Sequence, residues 1–373
     1  MTLLQIAANE RDDTREYYVA IHARSGTRGV VWDDALAGFL VTSYGHCATA
    51  LRSESFGRLP VRLPRGRHDD LVACAERVLS RQSMFQDEAA VRRAHWRERA
   101  CAVRDADIAR LVDDAIGDAP GEDLYADVLQ PFASRVACAT VGIDESGRRA
   151  LQPLIDPCVR FFDGKLRGPA QVDGAMYAIV ALYDRLLVMF RESTDEYSDW
   201  VADAMLTLVA GQESTAYLLA TIFLEAPTPP RGAVAEWVTE SLRFDSPIQL
   251  VGRRALVDTA LGDVALPEGA HVYLHVGAAN RDPRVFDQPH RFEPGRRSPR
   301  PLSFGLGERQ CLGRSLATRA ASTFLTRLVA RGCWFVPEEV RRCVGVSGRG
   351  FERLRGRMTT IATNSGERDD GDR

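Results

Sequence analysis

Apolar positions recur at helical spacing along much of the chain, with short β-branched runs between them. Residues 69–82 and 99–116 carry apolar side chains at three- and four-residue intervals, which predicts two amphipathic helices. Residues 122–142, DLYADVLQPFASRVACATVGI, extend the pattern over a longer helix that Gly142 is suited to stop. The stretch 173–225 is strongly helical until it meets the breakers APTPP at 226–230. Further helices are expected over 231–244 and from Leu312 to Ala330. Strand-like runs appear at 37–44 (AGFLVTSY), in VGRRALVD, and in VALPEGAHVYLHV with its Pro-Glu-Gly turn. A Pro/Arg-rich coil fills 283–301. The fold class is therefore mainly α with a minor β portion, as one domain over 1–364, and the charged residues 365–373 are expected to be a disordered tail.

Composition narrows the function classes. With 373 residues, 45% of them hydrophobic, the chain can bury a large core. A net charge of −3 gives no global bias toward nucleic acid. No apolar run is long enough for a membrane span and no leader is evident, so a cytoplasmic protein is expected, and a monomer is the expected state. Lys165 is the only lysine, so arginine carries nearly all the positive charge and a high-GC bacterial genome is inferred. None of the eight cysteines forms a CxxC pair, which argues against a zinc site or a redox dithiol.

One cysteine has informative neighbours. In Phe304-Gly-Leu-Gly-Glu-Arg-Gln-Cys-Leu-Gly313, Gly305 and Gly307 allow a tight turn and close approach to a flat ligand. Cys311 stands where the loop enters a helix, so N-terminal N–H groups can favour its thiolate. Arg309 adds a fixed charge suited to a carboxylate. A bare Cys-x-Gly would be read as a turn with a buried cysteine; five positions in register would not.

This loop resembles the cysteine-ligand loop of the cytochrome P450 family, F-x-x-G-x-R/H-x-C-x-G. The resemblance implies the family fold, a triangular helical domain with small sheets around a buried haem b (iron protoporphyrin IX). It makes Cys311 the axial metal ligand, places Phe304, Gly305 and Gly313 around the haem, and sets Arg309 on a propionate. Glu240-Ser-Leu-Arg243 is similar to the E-x-x-R helix motif, with Arg291 of PHRF as the arginine closing that network. Arg253, in preference to Arg254 on the other strand face, is implied as a second propionate ligand. Ile248, Gln249 and Leu250 then look into the substrate pocket.

Ala210-Gly-Gln-Glu-Ser-Thr215 resembles the oxygen-binding groove of the family's central helix. Ala210 and Gly211 would border the haem, with Glu213, Ser214 and Thr215 as the catalytic proton-delivery group. His95 and Arg99 match the family's H-x-x-x-R on a propionate-binding helix, although an ungapped alignment places Val91 and His95 there. Three departures stand out. Serine occupies the usual threonine position at 214, Pro301 replaces a frequent histidine, and the Thr215–Glu240 interval is short by ~10 residues, or three turns at 3.6 per turn.

The implied activity is oxygenation of a small organic substrate, expected to be a natural-product intermediate. Electrons would come from NAD(P)H through a reductase and a ferredoxin-type partner docking near Arg92, Arg93, Arg97, Arg104 and Arg314. Segments 57–86 and 159–176 are expected to form the entrance. The same fold could run oxidative coupling or desaturation. A non-catalytic haem sensor is the alternative, and such a sensor has no need of the Glu213–Ser214 pair.

Overall fold

The structure is a computed structural model and describes residues 2–3, 5–6, 13–61, 63, 68–86, 90–117, 122–162, 168–190, 197–345 and 347–361. The expected tail at 365–373, and parts of both expected entrance segments, lie outside these residues.

Helix α1 (Thr14–Ser25) begins where the Asp13 carboxylate accepts from the N–H groups of Arg15 and Glu16. Strands β1 (Val30–Asp33) and β2 (Gly38–Val41) follow, the second being the core of the strand expected at 37–44. Next come α2 (Tyr44–Arg52), β3 (Phe56–Gly57) and α3 (Asp69–Ser80). The single helix expected over 99–116 is instead the end of α4 (Ala90–Ala102) and the whole of α5 (Asp105–Gly117). The chain breaks at Val103–Arg104, and Asp105 and Asp107 in the first turn favour a fresh start there.

A π-helical turn (Tyr125–Leu129) leads into α6 (Gln130–Val141), which Gly142 ends in a left-handed conformation at φ 76°. Helix α7 (Glu145–Phe162) was not foreseen and carries Pro153 and Pro157 internally. The long helical stretch expected from residue 173 is two helices, α8 (Pro169–Met189) and α9 (Tyr197–Glu225). Residues 226–233 contain no helix and pass directly to α10 (Val234–Phe244), consistent with the short interval in the sequence.

Strands β4 (Leu250–Ala255), β5 (Thr259–Leu261), β6 (Val264–Leu266) and β7 (His271–His275) follow, then a short α11 (Val276–Ala279). After the coil come α12 (Arg314–Ala330) and a long hairpin, β8 (Cys333–Val344) and β9 (Arg349–Thr360). The main sheet has the order β1-β2-β7-β4-β3, with β2 and β7 parallel and its other pairs antiparallel.

Central helix α9 joins the two largest apolar clusters. Its first half, including Met205, Leu208 and Val209, packs with α3, α6, α7 and α8. Its second half, from Ala216 to Phe223, packs with α5, α12 and the β8–β9 hairpin. Residues 210–215, the polar patch, lie between those clusters. No helix among the described residues is long and apolar enough to cross a membrane.

Candidate functional site

The cysteine loop is built from its own backbone. Gly305 and Gly307 have φ of 66° and 71°, a region that penalises any side chain. The turn returns so that the Cys311 N–H donates to the Phe304 carbonyl at 2.8 Å. Phe304 and Leu316 belong with Ala216 in one apolar cluster, and Leu312 packs on the cluster containing Leu208 and Val209. The same two clusters hold the α9 residues on either side of 210–215. Cys311 is solvent-accessible, yet desolvation raises its thiol pKa, against the lowering effects of the Gly313 and Arg314 N–H groups and of Arg93. The sulfur is thus accessible yet surrounded by enough protein to be desolvated.

Helix α9 opens at the matching place. Ala210 is exposed although Leu208, Val209 and the run Ala216–Ile222 are buried. A Cβ built on Gly211 would meet only the Ala137 Cβ, at 3.6 Å. Ser214 lies one turn beyond Ala210, half-buried, and its hydroxyl donates to the Ala210 carbonyl at 2.8 Å. Glu213 is buried and accepts from the Gln130 side-chain amide at 2.9 Å, while Thr215 is buried in the packed helix. An accessible thiol at a helix start, in a fold whose central helix leaves small residues at its open points, fits a flat, metal-centred group. The donor set is chemically that of a thiolate-ligated haem.

The expected register of α4 is corrected. His95 is exposed, and Arg99 turns away from the cysteine loop, donating to the Thr140 carbonyl at 3.3 Å and stacking over Trp96 and Trp200. The side chains on the loop are Arg93, donating to the carbonyls of Glu308 (3.2 Å) and Gln310 (2.7 Å), and Arg97, donating to Glu308 at 3.4 Å. Buried Trp96, stacked on Trp200, sets this rotation. The signal was present in the sequence: Arg93, Trp96 and Ala100 at i, i+3 and i+7 form one face. Arg93→Ala is expected to cost ~2–3 kcal/mol, because two part-buried loop carbonyls lose a charged donor. Arg99→Ala should cost less; denaturant midpoints of the two variants compare them, and equal losses would contradict this register.

The E-x-x-R pair is fully internal. Arg243 Nε and Nη2 donate to the two Glu240 oxygens, each at 2.8 Å, with 1% and 4% of the side chains exposed. Arg243 also donates to the carbonyls of Asn280, Pro289 and Arg291, and the Glu293 N–H donates to Glu240 at 2.8 Å. The expected third arginine is corrected here too. Arg291 offers only its carbonyl and its side chain is exposed, whereas buried Arg296 lies 3.6 Å from Glu240 and 3.0 Å from Glu293.

Strand alternation puts Arg253 inside and Arg254 outside, and Arg253 donates to the Gly252 carbonyl at 2.9 Å. Arg309 donates to the Phe56 carbonyl on β3, and Phe56 pairs with Ala255 of β4. Both arginines are thus tied to the β3–β4 strand pair and carry positive charge suited to carboxylates. Ile248 is 39% exposed, and Leu250 is half-buried. Gln249 does not face a pocket: it is fully buried, accepts from the Tyr18 hydroxyl at 3.1 Å and donates to the Ser246 carbonyl at 2.6 Å.

Comparison with known proteins agrees with this geometry. The cytochrome P450 family profile matches residues 234–344. The chain is 29% identical over 252 residues to putative cytochrome P450 123 of Mycobacterium tuberculosis, covering 60% of this chain but only 63% of that relative. It is 28% identical over 355 residues to the 20-oxo-5-O-mycaminosyltylactone 23-monooxygenase of Streptomyces fradiae, covering 85% of this chain and 82% of that one. In fold it is similar to P450BioI, solved with an acyl carrier protein bearing hexadec-9Z-enoic acid, with a TM-score of 0.78, 23% identity, and 94% and 99% of the two chains covered. The profile match covers the E-x-x-R helix and the cysteine loop, and over nearly its whole length the chain shares the fold of solved cytochrome P450 structures.

Proposed function

We propose that this chain is a haem-thiolate monooxygenase that oxidises a small organic substrate with electrons from a separate ferredoxin and its NAD(P)H-dependent reductase. The accessible Cys311 thiol at the start of α12, together with the exposed Ala210 and half-buried Gly211 of α9, carries the reading. Cys311 would hold the haem iron, Arg253 and Arg309 would take its carboxylates, and Ala210 and Gly211 would border its far face. Bound there, the haem supplies oxygen activation, which thiolate ligation favours.

The chain's own groups then manage protons and water. Ser214 keeps its hydroxyl on the exposed face of α9, anchored to the Ala210 carbonyl, and can relay a proton at Oγ. Glu213 is the acid held one residue away by Gln130. Serine lacks the methyl that restricts threonine, so this relay is looser than the family's usual one. Ser214→Ala is expected to lower product formed per NAD(P)H consumed several-fold, short of the ~10²–10⁴-fold range of full general acid–base effects because oxygen reduction continues without coupling. Ser214→Thr should match or exceed the parent, and unchanged coupling in the alanine variant would remove Ser214 from the relay.

Likeness to the Streptomyces fradiae enzyme supports a natural-product intermediate as substrate. Docking of an acidic ferredoxin has a narrower basis than the sequence suggested. Arg92 is turned toward Asp199 and Asp203, and Arg104 is paired with Asp107, which leaves Arg97 and Arg314 beside the loop. Spectral titration with a panel of natural-product scaffolds, followed by turnover and product mass, tests the whole proposal. A product one oxygen heavier supports it; loss of two hydrogens would favour desaturation or coupling.

A further inference from the structure

Asp245 caps the C-terminus of α10, and its wholly buried carboxylate joins four elements. One oxygen accepts from the Tyr217 hydroxyl of α9 and from Arg342 of β8 at 2.7 Å. The other accepts from the Tyr18 hydroxyl of α1 at 3.1 Å and lies 3.3 Å from Arg349 Nε of β9. Arg342 also donates to the Tyr217 hydroxyl at 2.9 Å. Burial by itself would raise the Asp245 carboxyl, but Arg349 and Arg342 outweigh it and hold the group below its usual range.

The two arginines flank one turn. Val344 pairs with Arg349 and Arg342 with Phe351, so a single carboxylate grips both strands of the hairpin close to its tip. That tip crosses the segment following Asp245. The Gln249 and Leu250 N–H groups donate to the Ser347 carbonyl at 2.8 and 3.4 Å, and the Arg349 N–H donates to the Pro247 carbonyl at 3.0 Å. Ile248 bridges Gly348. On its other side the tip reaches α7, where Ser347 Oγ donates to the Phe162 carbonyl at 2.9 Å. Ile248, a large apolar side chain left substantially exposed, stands at this seam.

We infer that Asp245 is a positioning residue for substrate selectivity: it clamps the β8–β9 tip against Pro247–Leu250 and so sets the wall that Ile248 presents to the substrate. The substrate part of this inference rests on the function proposed above; the clamp does not. Without the carboxylate, two buried guanidiniums face each other uncompensated and the tip loses what holds it down.

The test uses the haem-loaded protein, with Asp245→Asn and the milder Tyr217→Phe. Hydrogen exchange follows peptides covering 245–252 and 342–352, and spectral titrations use imidazole and the bulkier phenylimidazole as probes. In Asp245→Asn, amide exchange at Gln249 and Arg349 is expected to quicken about tenfold or more. The phenylimidazole dissociation constant should shift about tenfold, with imidazole within about twofold, since only the larger probe reaches the wall. Tyr217→Phe should show the same pattern at smaller amplitude. Unchanged exchange in both peptides, or equal shifts for the two probes, overturns the inference. Should Asp245→Asn yield no folded protein, Tyr217→Phe decides alone, and no selective change in it overturns the clamp. Absence of a thiolate spectrum in the parent would refute the haem reading instead, and the exchange experiment, which needs no haem, still decides the clamp.

Discussion

Cys311→Ser is expected to abolish the strongly red-shifted Soret band that the reduced parent protein shows under carbon monoxide, while Cys158→Ser retains it. The contrast follows from where the sulfurs lie. Cys311 has accessible surface inside the fold, and the N–H groups of Gly313 and Arg314 are directed at its sulfur. A thiolate there gains hydrogen bonds from the start of α12 and can bond a metal in the cleft. Cys158 is buried within α7, donates to the Leu154 carbonyl, and has its thiol pushed up to about 12 chiefly by burial. Cys138 is pushed up to about 12 in the same way, so neither buried thiol is a ready thiolate. A serine alkoxide cannot replace the sulfur's electron donation, so loss of the band should be complete. A normal band in the Cys311→Ser protein would end the haem-thiolate reading.

Glu240→Ala should be strongly destabilised, and Arg291→Ala should be close to neutral. Arg243 is buried, and its only anionic partner among the described residues is Glu240, which accepts two of its hydrogen bonds. Removing one member of such a pair leaves an uncompensated buried charge, at ~3–5 kcal/mol. Against a total stability of ~5–15 kcal/mol this is a large fraction. The Glu293 N–H also loses its acceptor, which frees the coil that delivers Arg296 and leads to the cysteine loop. Arg291, by contrast, contributes a carbonyl that alanine keeps, so its loss should fall within about 0.5 kcal/mol. Arg296→Ala belongs between them. Thermal or denaturant unfolding of the three variants gives the order, and a costly Arg291→Ala would restore Arg291 as the network's third arginine.

Several features of this protein were legible in the residues themselves because the information they need is local. The glycines at 305 and 307 satisfy a backbone requirement that only neighbouring residues impose, and the helix stop at Gly142 is of the same kind. Glu240 and Arg243 must share a face at a spacing of three. Arg253 and Arg254 must point apart on any strand, and the buried one is Arg253.

Tertiary packing decided what local spacing leaves open. His95–Arg99 and Arg93–Arg97 have the same i, i+4 separation and differ by two residues, or about 200° around the helix. Stacking of Trp96 on Trp200, contributed by a helix a hundred residues away, chose the second pair for the loop. Arg291 and Arg296 are both arginines of one coil, and coil has no period from which to tell a side chain's direction. The coil's own path around Glu240 turned Arg296 inward. Gln249 went to the core because Tyr18, far upstream in sequence, supplied a hydrogen-bond partner there. A buried polar group must find its partners wherever the fold brings them, and those partners lie beyond the reach of any local pattern.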